Sequence, residues 1–368
     1  MKYVDEFRKK GLVERLAAKI KKICPPQPLN IMEVCGSHTQ SFFRFGLDKL
    51  LPSNLRLIAG PGCPVCVSPA GYIDAAVSLA RKKDMLVLTF GDMLRIPGNK
   101  TSLEQERARS GNVRVVYSAF ESLGAARDNP DKKVVFLAVG FETTAPTVAL
   151  SILAAKRQGL KSLSFLTALK LIPPAMEYLA ADKRLKIHGF LCPGHVSAII
   201  GTKPYDLIVR KRKITCCVTG FEPLDILEGI YMILRRIVTN KPAVDNQYSR
   251  VVKRSGNIEA RNFCAKVFTV VPAQWRGLGV IPASGQKIRK EFACFDAEKV
   301  FSVSADARGA SPQQKRCRCG DVLKGLIEPP ECPLFAAACS PQKPIGPCMV
   351  SHEGACNAYF KYRREGKN

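Results

Sequence analysis

Residues 134–150, VVFLAVGFETTAPTVAL, decide how the chain is to be read. An unbroken apolar run ends in glycine, a short polar turn follows, and Ala145 and Pro146 open a helix-like segment. Such a run reads as a strand buried on both faces, the kind that parallel sheets use. Residues 31–43, IMEVCGSHTQSFF, repeat the arrangement with a cysteine at the start of the turn. Two further echoes follow in the same order. LIAGPGCPVCVSP (57–69) matches GFLCPGHVSAIIG (189–201), and LVLTFGDMLRIPG (86–98) matches CCVTGFEPLDIL (216–227). Strands alternating with helices predict an α/β fold. The echoes predict two similar parallel-sheet α/β domains, 30–120 and 121–240, facing a central cleft. Ligands of such sheets bind beyond the carboxyl ends of the strands. The turns CGSHT, GPGCPVC, GFETTAP, CPGHVS and GFEP are therefore expected to converge there.

The flanks read differently. Within 1–29, Leu12, Leu16 and Ile20 recur at helical spacing, while Asp5, Glu6 and Glu14 and the lack of an apolar core argue against a signal peptide. This helix is expected to pack on a third unit, 241–368. That unit begins with a polar connector, continues through extended structure near 267–285 and ends in a cysteine-rich tail. No apolar run approaches the roughly 18 residues of a membrane span, so a soluble cytoplasmic protein is expected. The net charge is +26. It permits nucleic-acid binding by counterion release or an acidic protein partner. The charge is scattered, however, with its densest run at VRKRKI (209–214). Without aromatic interleaving, helix-turn-helix or zinc-finger spacing, a solvated basic surface is the preferred reading.

Fifteen cysteines point to metal or redox chemistry, because a reducing compartment disfavours structural disulfides. Six of them, Cys317, Cys319, Cys332, Cys339, Cys348 and Cys356, fall within the tail from Cys317 to Cys356. Zinc and iron–sulfur clusters both accept four thiolates. The tail has no paired C-x-x-C knuckles and is rich in proline, which leans towards iron–sulfur. Upstream, Cys35 stands where a strand gives way to a helix, so the helix dipole should favour its thiolate. His38, three residues on, is a base or metal ligand in reach. Cys63 and Cys66 form a C-x-x-C stiffened by Pro61 and Pro64, suited to a reversible disulfide or to metal. Glu142 offers a carboxylate and His195 an acid or base; each is also readable as a satisfied turn residue. Cys24, Cys192, Cys216, Cys217, Cys264 and Cys294 read mostly as small core residues. No phosphate-binding glycine motif supports nucleotide chemistry. From the residues alone, a basic zinc protein that binds nucleic acid and a stand-alone thiol–disulfide oxidoreductase both remain open.

Taken in order, CGSHT, GPGCPVC, FGDMLRIPG, GFETTAPT, CPGHVSAIIG, GFEPLDIL, ECPLF and CMVSHEGAC resemble the HypD family of nickel–iron hydrogenase maturation factors over nearly the whole chain. The resemblance implies a scaffold that assembles an iron centre carrying two cyanides and one carbon monoxide. The implied partners are a HypC-type small chaperone and a HypE-type cyanide donor supplied by HypF, with the chain monomeric when alone. The implied fold is two α/β domains and a third bearing a 4Fe–4S cluster. Cys35 is then the thiolate that holds the iron, with His38 beside it, and Cys63 and Cys66 are a redox pair between cluster and iron. The implied cluster ligands are Cys332, Cys339, Cys356 and Cys319, with Cys317 as the alternative to Cys319. SHEGAC stands here where the family more often has SSEGAC. The strong positive charge has no counterpart in the family pattern.

Overall fold

The computed structural model describes residues 5–109, 111–305 and 316–363. Eleven strands among these form two sheets. The first contains β1 (Leu29–Glu33), β2 (Leu55–Ala59), β7 (Gly189–Pro193), β8 (Thr215–Thr219) and β9 (Val244–Asn246), in the order β2-β1-β7-β8-β9. All its pairings are parallel. The second contains β3 (Met85–Thr89), β4 (Val113–Val115), β5 (Lys133–Gly140), β6 (Leu163–Lys170), β10 (Phe268–Trp275) and β11 (Gly279–Ile288), in the order β10-β11-β6-β5-β3-β4. Here β4, β3, β5 and β6 are parallel, while β10 and β11 form an antiparallel hairpin at the edge. The α/β reading with parallel sheets holds, and the apolar runs NIMEV, LRLIA, MLVLTF, KVVFLAVG, LSFLTAL, IHGFLC and KITCCVTG each carry a strand. The short β4 and β9 carry too little apolar sequence to have been seen.

The sheets do not follow the chain division at residue 120. Strands β1 and β2 pair with β7–β9, and β3 and β4 join β5 and β6. The echoes reflect what every strand–turn–helix unit has in common; partner choice depends on packing across the sheet. One device is visible at Gly189, which pairs beside Ile31. A Cβ there would lie 2.4 Å from Ile233 of the covering helix Pro223–Val238.

The N-terminal helix Lys10–Ile23 packs mainly on that same helix, correcting the expectation that it sits on the third unit. Val13 and Ile20 share a core with Leu224, Leu227, Ile230 and Leu234, so the helix covers apolar surface that would otherwise face water. Arg8 also pairs with Glu222 at the start of Pro223–Val238. The cysteine tail is largely irregular, with short helices at Cys319–Leu323 and Ala355–Tyr362. Its buried cysteines belong to the same apolar core as Cys63, Cys66 and strand residues of both sheets. No helix among the described residues is long and apolar enough to cross a membrane.

Candidate functional site

The order β2-β1-β7-β8 lines up four carboxyl ends on one sheet edge. Beyond them stand, respectively, the Cys63–Cys66 turn, Cys35, His195 and Phe221. Cys35 precedes the helix Gly36–Arg44 in extended conformation, and its backbone N–H donates to Glu33 Oε2 at 2.9 Å. The Gly36 N–H donates to the Gly62 carbonyl at 3.1 Å. A Cβ on Gly62 would come within 2.4 Å of the Cys35 backbone, and one on Gly36 within 2.2 Å of the Glu353 carbonyl. Cys35 is thus enclosed by the C-x-x-C turn on one side and residues 351–354 of the tail on the other. The two glycines permit that closeness.

The thiolate expected from the helix dipole is not what this enclosure favours. Burial pushes the Cys35 thiol up to about 12, with the Glu353 and Glu33 carboxyls adding to it and Ser37 opposing. One turn of helix dipole is outweighed by a dry pocket and two acids. A thiol in such a place ionises when a cation displaces its proton. Glu33 and Glu353 were missed by the sequence reading. Burial pushes the Glu33 carboxyl up to about 8, despite hydrogen bonds from Thr39 and the Cys35 N–H. Its signal was an acid closing a mostly apolar strand. Glu353, also raised by burial, accepts from Ser37 Oγ at 3.2 Å.

Cys63 and Cys66 form a disulfide with Cα atoms 5.3 Å apart. Both are buried, and the Cys66 N–H lies 3.1 Å from Cys63 Sγ. Cys66 Sγ also lies 3.7 Å from the carbonyl oxygen of Pro347, one residue before Cys348. One face of the turn therefore meets Cys35, and one of its sulfurs meets the tail.

His38 is fully buried. Its Nε2–H donates to the Gly220 carbonyl at 2.9 Å and lies 3.0 Å from Thr219 Oγ1, both at the end of β8. Burial lowers its pKa to about 4, so the ring is neutral, and Nδ1 carries a lone pair with no hydrogen-bond partner. Phe221 stacks on His38 at 4.8 Å and on the exposed His195 at 4.0 Å between ring centroids. The two histidines flank one aromatic ring, an arrangement the sequence did not reveal.

Glu142 lies apart, beyond β5 of the second sheet. Its Oε1 accepts from the Ile172 N–H at 2.9 Å, while Oε2 is buried without a hydrogen-bond partner. Burial pushes its pKa up to about 7. Among the described residues it makes no hydrogen bond to Cys35, His38, His195 or the Cys63–Cys66 turn.

In the tail, Cys319, Cys332, Cys339, Cys348 and Cys356 are buried and Cys317 is partly so. Cys319 interacts through its thiol with both Cys317 and Cys348. Burial raises the Cys356 pKa, and the groups adding most to it are Cys317, Cys319, Cys339 and Cys332. The cysteines of the implied ligand set thus lie in one group that also contains Cys348, which is outside that set. Among the described residues no group of three or more His, Cys, Asp or Glu side chains is placed to hold a single metal ion. The donor set is nonetheless soft and dry, the chemistry that iron–sulfur clusters and zinc take. Of the cysteines read as core, Cys192, Cys216, Cys217 and Cys264 are buried, Cys24 is half-buried, and Cys294 is exposed.

Comparison with known proteins supplies the family. The HypD family model, described as "Hydrogenase formation hypA family", matches residues 11–363. The chain belongs to the HypD family. It is 43% identical over 373 residues to the hydrogenase maturation factor HypD of Azotobacter vinelandii, covering 99% of this chain and 98% of that one. Identity to HypD of Cupriavidus necator is 42% over 373 residues, 99% of this chain and 98% of the relative. For Escherichia coli HypD it is 42% over 372 residues, 99% of both chains. The resemblance carried by the motifs is thereby established, and with it a hydrogenase maturation factor.

Proposed function

We propose that this HypD-family chain is the scaffold on which the iron centre of nickel–iron hydrogenase, with its two cyanides and one carbon monoxide, is put together. The observation that carries the reading is the enclosure of Cys35. One buried thiol is held against a disulfide turn, and that turn in turn touches the cysteine tail. Iron is the cargo. Cys35 supplies the soft thiolate that low-spin iron with cyanide and carbon monoxide prefers, and neutral His38 stands three residues along. Cys63 and Cys66 cycle between disulfide and dithiol, taking up two electrons and two protons on reduction.

The tail holds a 4Fe–4S cluster through Cys319, Cys332, Cys339 and Cys356, with Cys317 as the alternative to Cys319. Such a cluster supplies electrons one at a time when bound. In this reading the two sheets are two α/β domains and the tail is a third. The partners are a HypC-type chaperone, which shares the iron with Cys35, and a HypE-type cyanide donor. The setting is the cytoplasm, and nucleic acid is not a partner.

The test is iron, zinc and acid-labile sulfide content of anaerobically purified protein. About four irons and four sulfides per chain are expected; one zinc without sulfide overturns the cluster. Replacing both Cys63 and Cys66 by Ala should leave the cluster spectrum in place and abolish maturation. Retained maturation removes the redox role.

A further inference from the structure

Arg276 sits at the turn of the β10–β11 hairpin, in a segment that sequence reading treated only as extended structure. Three contacts pin the turn. The Arg276 N–H donates to the Val67 carbonyl at 2.8 Å, directly after the C-x-x-C. Its Nη1 donates to the Pro97 carbonyl at 3.0 Å. Next to it, Gly277 has φ +80° and packs so closely that a Cβ would lie 2.6 Å from Gly320 Cα, the residue after Cys319. The preceding Trp275 is fully buried, stacked on Phe141 and donating to Ser284 Oγ at 2.8 Å. The hairpin is therefore rigid where it meets the tail.

Arg276 is half-buried where its turn packs on Gly320, the residue after Cys319, and nearby Gly346 is so close to Cys317 that a Cβ would lie 2.6 Å from its Sγ. Burial lowers the Arg276 pKa, and the tail cysteines Cys319, Cys317 and Cys348 oppose that shift ahead of Asp74. The Asp74 carboxylate is already engaged by Asn99, which donates its backbone N–H at 2.9 Å and its Nδ2 at 2.6 Å. Among the described residues no carboxylate lies within ion-pair distance of Arg276. Arg250 and Arg236, also partly buried, each have one: Asp225 at 2.6 Å and Asp245 at 2.8 Å. A desolvated arginine without a counter-ion is costly. Neutral thiols do not offset that cost; thiolates do.

We infer that Arg276 is the counter-charge of the tail's thiolate group at Cys319 and its neighbours, holding negative charge beside the C-x-x-C turn and making the metal group there easier to reduce. The inference rests on the metal-cluster reading above. Arg276 is a positioning residue: it touches neither cargo nor partner, and acts through the thiolates. A fixed cation stabilises the more negative, reduced state and so raises the midpoint potential. The same field strengthens retention of the metal.

The experiment compares full-length wild type, Arg276→Lys and Arg276→Met, purified anaerobically. Iron and sulfide are measured, and the cluster is titrated with reductant under electron paramagnetic resonance. Arg276→Met is expected to shift the midpoint to lower potential, while Arg276→Lys stays near wild type. If Arg276→Met loses the cluster and Arg276→Lys keeps it, the charge is again shown to matter. Equal midpoints in wild type and Arg276→Met overturn the inference, as does loss of the cluster from both variants. Should wild type hold zinc without sulfide, the cluster reading fails, and the inference is then judged on zinc. Removal by a chelator roughly 10-fold faster from Arg276→Met than from Arg276→Lys supports it; equal rates overturn it.

Discussion

The turn after β1 and the turn after β5 look alike on paper and do different things in space. Both end an apolar strand, pass through small and polar residues and open a helix. The β1 turn lies between β2 and β7, so Cys35 meets a disulfide turn on one side and His195 stands beyond the strand on the other. The β5 turn lies between β6 and β3, and its Glu142 is occupied by the Ile172 N–H. Thiols and imidazoles collect where strand order brings several motif turns together. The local sequence of any one turn does not decide it.

Substitutions can break this comparison. The largest effect is expected from Cys35→Ala, which should reduce hydrogenase maturation to background in a host lacking its own copy, while circular dichroism stays native. The matching change Glu142→Gln should mature hydrogenase far better; equal loss from both would erase the distinction between the two edges. Gly62→Ala comes next. Its Cβ, 2.4 Å from the Cys35 backbone, should push the disulfide turn aside, costing about 1–3 kcal/mol in denaturant unfolding and most of the maturation activity.

Two pH profiles sharpen the comparison, with opposite signs. His38 has its pKa lowered by burial from 6.5 to about 4. The unfolded chain then binds the extra proton, so its contribution is full above pH 6.5 and is lost as pH falls towards 4, by up to about 3 kcal/mol. His38→Gln should flatten that acid limb. Burial raises Glu142 from 4.5 to about 7, so its contribution is full below pH 4.5 and is lost as pH rises through 7, on a similar scale of about 3 kcal/mol. Glu142→Gln should flatten this rise-side loss. Unchanged slopes in urea titrations would contradict the burial assigned to each. The smallest effect belongs to the exposed Cys294: Cys294→Ser should change stability by less than about 0.5 kcal/mol and leave maturation intact.

The sequence made strands such as MLVLT and KVVFLAVG legible because a parallel strand buried on both faces is apolar nearly throughout. It made the pairing of Cys63 with Cys66 legible because a C-x-x-C in a stiff glycine–proline turn suits a disulfide. It hid the sheet partners, since β1 beside β7 depends on Gly189 clearing Ile233 across 44 residues of chain. It hid Glu33, whose neighbours gave it the look of a strand's polar end. It hid the His38–Phe221–His195 stack and Arg276 as well, because each exists only once three distant segments meet.

The pairing of β1 with β7 also sets a clock on biosynthesis. Gly189 leaves the ribosome 158 residues after its partner Ile31. At roughly 5–20 residues per second, β1 and β2 wait on the order of ten to thirty seconds for the rest of their sheet. The tail segment that closes over Cys35 emerges later still. Until then Cys35 is not enclosed. The pocket around it is completed only in a chain whose translation is nearly finished, so the order of the strands ties this site to an all but complete protein.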